Sequence, residues 1–258
     1  MKLLVSGGRD FDDVEFIVTH LNRLHKARSI TQLIHGAAKG VDTIAAFWAD
    51  ENGIKPRPFP AEWQEYGRYR AGPIRNQQML DEGRPDALFA FPGGSGTADM
   101  VERAEKVLPE VWQSQWNFFE KGNPETIFLS NFAEGYGFED QESIFWDTVE
   151  HYYQAMKSPI MSEREYVRLA ESPNDAKVRG RNINMYNDWE KGRKLDVMRK
   201  ALSYKFAEGT EAARLLQCTG IDYLVEWAPW GDTYWGVDKY HVGLNWLGRL
   251  SMERREQL

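Results

Sequence analysis

Residues 3–13, LLVSGGRDFDD, run a short apolar strand into two glycines, an arginine and an acidic stretch that opens a helix. Glycine lets the chain turn sharply after a strand, and the amides at the start of the next helix can receive an anion. Taken alone, the pattern is as readily a tight turn. It recurs in IHGAAKGVD (34–42) and AFPGGSGTAD (90–99), each closing another strand-like run. Strands alternating with helices in this way form a parallel sheet, and the loops at their carboxyl ends share one crevice. KLLVSG, ITQLIHG, KPRPFP and DALFAFPGG are the strand candidates, with PEVW as a final one. DVEFIVTHLNRLHK, GVDTIAAFWADENG, PIRNQQMLDEG and TADMVERAEKV read as the helices. Residues 1–112 are therefore expected to form an α/β parallel-sheet domain.

From about residue 113 this rhythm stops. QSQWNFFEKGNPE (113–125) lacks a clear period and ends in a Gly-Asn-Pro turn signal, which places a linker there. Seven of the ten tryptophans fall at or beyond it, so 126–258 reads as a second domain with its own plan. EREYVRLAES, NDAKVRGRN and WEKGRKLDVMRKALSYKFAEG read as helices, the last burying Trp189, Val197, Met198, Ala201, Leu202 and Phe206. ETIFLSNF and DYLVEWAP read as short extended pieces, which makes this domain α+β and helix-rich.

At 258 residues, 42% hydrophobic and 28% charged, the chain has the composition of a globular protein of two modest domains. No apolar run approaches the roughly 20 residues of a bilayer span, and MKLLVSGGRD turns polar too early for a signal peptide. A cytoplasmic location without membrane contact is expected. Cys218 is the single cysteine and the five histidines are scattered, so no disulfide, no zinc-ligand spacing and no cofactor are expected. A net charge of −7 argues against a general grip on nucleic-acid backbone and leaves room only for a local contact.

None of the glycine loops matches G-x-x-x-x-G-K-[ST] or a clean G-x-G-x-x-G, so neither an ATPase nor an ordinary dinucleotide enzyme is indicated. VSGGRDF, IHGAAKGVD, AGPIRNQQML and FPGGSGTADM together resemble the SLOG superfamily of Rossmann-like nucleotide binders, in the branch related to the Lonely Guy phosphoribohydrolases. The resemblance implies a nucleotide site made by Gly7, Gly8, Arg9, Asp10, Gly36, Lys39, Asp42, Arg75, Asn76, Gly93, Gly94, Gly96 and Thr97. In those enzymes P-G-G-x-G-T-x-x-E ends in a catalytic glutamate, which works with an arginine that Arg75 resembles. Met100 occupies the glutamate position here, and methionine neither accepts a proton nor steadies a sugar cation. Asp99, one residue earlier, is rotated by about 100° on a helix. The domain is therefore expected to bind a nucleotide, as sensor or delivery module, without cleaving it.

In the second domain DTVEHYYQAMKS (147–158), read as a helix, puts Glu150, Gln154 and Lys157 on one face among Tyr152, Tyr153 and Met156. Such a stretch is ordinarily a solvated face beside core aromatics. Its companions change that reading: Ser130-Asn131-Phe132, Gly180-Arg181-Asn182, Trp189, VMRKAL..KF, D-x-x-W-G (Asp232, Trp235, Gly236) and G-x-N-x-L-G around Asn245. Together these motifs resemble the NADAR family from about residue 126 onward.

That resemblance implies an N-glycosidase; members act on phosphoribosylamino intermediates of riboflavin synthesis or remove ADP-ribose from modified guanine in nucleic acid. It assigns catalysis to Glu150, with Trp189 and Asp232 as further required residues. Substrate contacts fall to Ser130, Asn131, Phe132, Tyr153, Lys157, Arg181, Trp235, Gly236 and Asn245. The chemistry agrees, because breaking a C–N glycosidic bond builds positive charge on the anomeric carbon, and a carboxylate held there lowers the barrier. Trp189 as core or as a stacking face, and Asp232 as a turn cap or a second carboxylate, stay open. His151 points away from Glu150 and is expected to be structural. The expected partners are a nucleotide or ADP-ribose-type ligand and ADP-ribosylated nucleic acid, with homo-oligomerisation left open. The rival expectation is a non-catalytic protein that sequesters an ADP-ribose-derived signal.

Overall fold

Leu3, Leu4 and Val5 are all fully buried, so the first strand is covered on both faces, as strands of a parallel α/β sheet are. The computed structural model describes residues 1–120 and 122–258, which divide into two units, Met1–Gln115 and Trp116–Leu258. The first unit runs β1 (Lys2–Ser6), α1 (Val14–Arg28), β2 (Gln32–His35), α2 (Val41–Glu51), β3 (Pro56–Pro58), α3 (Trp63–Asp81), β4 (Ala87–Ala90), α4 (Ser95–Glu105) and β5 (Glu110–Gln113). All five strands are parallel, in the order β3-β2-β1-β4-β5. The direction of winding reverses between β1 and β4, so the glycine loops after these two strands flank the switch point where such sheets bind ligands.

The expected α/β Rossmann-like architecture is present, with one boundary far from its sequence signal. Pro73 reads as a helix start, yet α3 begins at Trp63 and kinks at Gly67, whose φ of 71° and ψ of 176° are not helical. Met100 is fully buried in the apolar layer formed by Leu4, Ile34, Leu88, Met79 and Ala104. The position at which the related enzymes carry a glutamate therefore faces the core.

The second unit runs β6 (Trp116–Phe119), β7 (Phe138–Glu139), β8 (Phe145–Trp146), α5 (Val149–Ala155), α6 (Met161–Arg168), α7 (Pro173–Arg179), α8 (Arg193–Lys205), α9 (Glu211–Cys218), β9 (Tyr223–Glu226) and α10 (Trp246–Glu256). It is α+β and helix-rich, as expected. β6 pairs in parallel with β9, and β7 pairs antiparallel with β8. α5 is packed against α6, α7 and α8, while α10 lies against β9 and α8.

Three local expectations need correction. The stretch 113–125 is not a free linker, because Gln113 ends β5 and residues 116–119 are a paired strand of the second unit; residue 121 lies outside the described residues. ETIFLSNF contains a 3-10 turn at Ile127–Leu129 and no strand. Trp189 precedes α8 in a separate 3-10 turn, Trp189–Lys191, since Gly192 at φ 122° breaks the helix between them.

Met100→Glu should place an unpaired carboxylate in the first unit's core and cost about 3 kcal/mol or more. Urea unfolding of the first unit's transition measures it; an unchanged midpoint would show that the side chain reaches solvent.

Candidate active site

Thr148 caps α5, accepting from the backbone N–H of His151 at 3.3 Å, and all seven residues of the helix are buried. Glu150 is 5% exposed. Its Oε1 accepts from Nε2 of Gln154 at 2.8 Å, and its backbone N–H donates to the carbonyl of Asn131 at 3.0 Å. Gln154 is seated beside Gly180, where a Cβ would come within 2.8 Å of the glutamine Cβ. Burial pushes the Glu150 carboxyl above its ordinary value. The Gln154 amide and the charges of Lys177 and Lys157 pull it back, and Asp232 pushes it further up.

Lys157 lies beyond the end of α5 and not on its face, because the helix stops at Ala155. It still lies by the site, with Nζ 5.7 Å from the Tyr153 ring centroid; burial lowers its ammonium below the ordinary lysine value, and the charge of Glu150 opposes that drop. Lys177, which the sequence reading passes over, sits with Nζ 5.5 Å from the Phe132 ring. Arg181 is exposed, and its charge acts on Lys157. Two cations, Lys157 and Lys177, thus act on one buried carboxylate, and the charge of Arg181 reaches Lys157.

The aromatic wall is built in series: Tyr153 has its ring centroid 5.2 Å from Trp189 and 5.5 Å from Trp235. Trp189 is 2% exposed, so its indole backs Tyr153 and offers no bare stacking face. Its open assignment therefore resolves toward core. Asp232 caps the turn before Trp235, with Oδ1 accepting from the backbone N–H groups of Tyr234 at 3.2 Å and Trp235 at 3.0 Å, and its charge acts on Glu150.

Several expected substrate contacts are structural. Asn245, held in a left-handed conformation at φ 51°, accepts from the N–H of Glu226 at 3.0 Å and donates to the carbonyl of Leu224 at 2.8 Å. Both ends of its amide are spent on β9. A Cβ at Gly236 would lie 2.5 Å from the Glu226 carbonyl, so glycine is there for close approach. Ser130 accepts from the N–H of Phe132 at 3.1 Å, and its carbonyl accepts from Nζ of Lys205 at 2.8 Å. Lys205 is enclosed, and burial brings its ammonium down to about 7. Asn131 differs from these: its Oδ1 is buried with no hydrogen-bond partner among the described residues. His151 is structural as expected, bonded to Thr148 Oγ1 at 2.9 Å and to the Ala170 carbonyl at 3.3 Å.

One acidic residue escaped sequence reasoning. Glu226 ends β9, and burial raises its carboxyl to about 8, with Asp232 and Glu150 adding to the rise and Lys177 opposing it. YLVE looks like any strand reaching the surface, so only the fold reveals that this glutamate turns inward.

In the first unit the glycine loops interlock. Cβ atoms at Gly7, Gly40 and Gly93 would collide respectively with Val41 at 2.4 Å, the Gly8 carbonyl at 2.4 Å and Thr97 Oγ1 at 2.2 Å. Arg75 donates to the Gly36 carbonyl, and its charge and that of Arg9 both act on Asp42, whose carboxyl is raised by burial to about 6. Arg9 also lies 5.2 Å from the Trp63 ring centroid. Asn76 is not available to a ligand, because its amide donates to the Gly96 carbonyl at 3.1 Å and to Asp99 at 2.8 Å. Thr97 is buried under Gly93, whereas Asp10, Lys39, Gly94 and Gly96 are exposed.

The model of the NADAR domain matches residues 115–258, more than half of the chain. The chain belongs to the NADAR family. Residues 1–66 match a second family model, "YspA, cpYpsA-related SLOG family". N-glycosidase YbiA of Escherichia coli (strain K12) is 37% identical over 161 residues, covering 62% of this chain and 98% of that protein. Riboflavin biosynthesis protein PYRR, chloroplastic, of Zea mays is 33% identical over 188 residues, which is 65% of this chain and 29% of that one. The NMR structure of E. coli YbiA aligns with a TM-score of 0.51 at 37% identity, covering 57% of this chain and 86% of that chain. Among the described residues no helix is long and apolar enough to cross a membrane, and no cluster of side chains could hold a metal ion.

Two measurements check this NADAR site. Asn245→Ala should lose both β9 hydrogen bonds and cost about 1–3 kcal/mol in chemical denaturation; a neutral result would mean that Asn245 does not hold β9. A carboxyl raised by folding binds protons more readily in the folded chain, so stability falls as pH rises above the ordinary carboxylate value. Glu150→Gln should therefore raise the melting temperature at pH 7 and above, and an unchanged or lower value contradicts the burial argument.

Proposed function

We propose that the NADAR unit hydrolyses an N-glycosidic bond, and that its substrate carries a ribosyl–base or ADP-ribosyl linkage. The relatives named N-glycosidases support the hydrolysis of N-glycosyl bonds. The observation that carries the reading is Glu150, a carboxylate enclosed by aromatic side chains and steadied by one amide and two ammonium groups. Charge that appears on the sugar during bond cleavage is stabilised most by a carboxylate already fixed in a poorly solvated site. Water added to the anomeric carbon loses its proton to the same carboxylate. Lys157, Lys177 and Arg181 match the charge of a phosphate or pyrophosphate on the substrate, which favours a nucleotide over a bare nucleoside. Asn131 Oδ1, lacking a partner, is suited to a ribose hydroxyl or a base N–H.

In the first unit the reading is nucleotide binding without cleavage. Arg9 and Arg75 flank the interlocked glycine loops at the switch point, and Met100 is withdrawn into the core. A ligand held there makes this unit a sensor or delivery module for the second.

Two experiments test these readings. Incubation with an oligonucleotide carrying ADP-ribosylated guanine, and separately with a phosphoribosylated amine, should release free base or amine detectable by mass spectrometry. Glu150→Ala should lower kcat by about 100-fold or more while changing substrate affinity much less, because the carboxylate acts on charge absent from the ground state. Undiminished turnover would sink the assignment. For the first unit, a Cβ at Gly94 meets nothing within 4 Å, so Gly94→Val should leave the melting temperature unchanged and weaken binding of a nucleoside monophosphate. Equal affinity in calorimetry would remove the loop from the binding site.

A further inference from the structure

Glu226 and Glu150 reach one region from opposite parts of the second unit, Glu226 from the end of β9 and Glu150 from α5. Their surroundings differ in a way that matters for proton transfer. Glu150 has an amide donor on Oε1 and feels both Lys157 and Lys177. Glu226 feels Lys177 alone among cations, faces the negative charges of Asp232 and Glu150, and has Oε2 buried with no hydrogen-bond partner among the described residues. A buried acceptor without a donor favours the neutral acid, whose own O–H then seeks an acceptor. The backbone around it is pinned: its N–H donates to Asn245 Oδ1 at 3.0 Å, and its carbonyl accepts from Val237 at 2.9 Å. Such fastening fixes where the carboxyl group stands, which a proton donor requires.

We propose that Glu226 is the proton donor to the departing nitrogen in the glycosidase reaction, while Glu150 works in its ionised form. The assignment rests on the glycosidase reading above. As the C–N bond breaks, its electron pair leaves with the base, and the Glu226 carboxyl gives that nitrogen its proton. Water bonds to the anomeric carbon and passes one proton to Glu150. Return of that proton through solvent to Glu226 restores both groups, so the sum is addition of one water across the bond. Burial raises both carboxyl groups, and what separates them is their partners: Glu150 has an amide donor and two ammonium charges, Glu226 one ammonium charge and a bare Oε2, so a single negative charge shared by the pair settles on Glu150. A carboxyl held near 8 stays protonated at neutral pH, and the donor is lost as pH rises through that value.

The test uses the full chain and two readouts. Infrared difference spectroscopy of the protein without ligand, between pH 6 and pH 9, should show a protonated carboxyl that titrates in this range and is absent from Glu226→Gln. In steady-state hydrolysis of whichever of the two test substrates the wild type cleaves, its kcat should fall on the alkaline side. Glu226→Gln should lose on the order of 100- to 10,000-fold in kcat and show no such limb. Glu226→Asp, which keeps an acid on a shorter arm, should recover part of the rate. An active wild type whose Glu226→Gln variant keeps its rate and alkaline limb overturns the donor role alone. A Glu226 already ionised at pH 6 does the same. A wild type that cleaves no N-glycosyl substrate overturns the glycosidase reading, and the donor role with it.

Discussion

A helix buried on every side has no outward face on which to place its polar residues, and α5 carries three of them: Glu150, His151 and Gln154. Each must be satisfied inside the protein or left costly. His151 is satisfied by Thr148 and by the Ala170 carbonyl beyond α6, and the Gln154 amide nitrogen by Glu150 in a notch that only glycine at 180 leaves open, while Gln154 Oε1 stays buried with no hydrogen-bond partner among the described residues. The S-N-F turn is drawn in by the Glu150 N–H and held from behind by Lys205. What looks like a set of scattered motifs is thus the consequence of one short helix placed at the centre of the unit. The motifs sit far apart along the chain because each contributes one wall.

The alternation of apolar strands with glycine turns made the first unit's sheet legible, since the signals for a parallel strand are local: a short apolar run, a turn residue, a helix cap. The second unit was legible mainly through motif resemblance, and its errors share a cause. Residues 116–119 looked like linker because their strand partner is Tyr223–Glu226, which no local window contains. Asn245 and Gly236 looked like ligand contacts because they belong to dense motifs, yet both serve the backbone of β9. Glu226 was missed for the converse reason: nothing beside it in sequence marks it, and its character comes wholly from burial and from charges on α5, α7 and the loop after β9.

The two units treat acidity differently. In the first, two carboxylates near the glycine loops are spent: Asp42 accepts from the Ala38 N–H at 3.1 Å, and Asp99 is bound by Arg103 and Asn76. With Met100 in the core, no free carboxylate is presented by that segment. In the second, acidic groups are concentrated and incompletely neutralised, a state that costs stability and is common where proton transfer is required.

The parallel pairing of β6 with β9 has a consequence for how the protein is made. The first strand of the second unit cannot find its partner until more than a hundred further residues have left the ribosome. The five-strand sheet of the first unit is complete at Gln113, so it can form while the rest is still being synthesised. Until then β6, with Trp116 and Phe118, waits for the strand it pairs with in the folded unit. Late closure of a long loop is also slow, since the entropy of bringing distant segments together comes before the contacts that offset it. The order of synthesis thus gives the five-strand sheet time to form ahead of the NADAR unit that follows it.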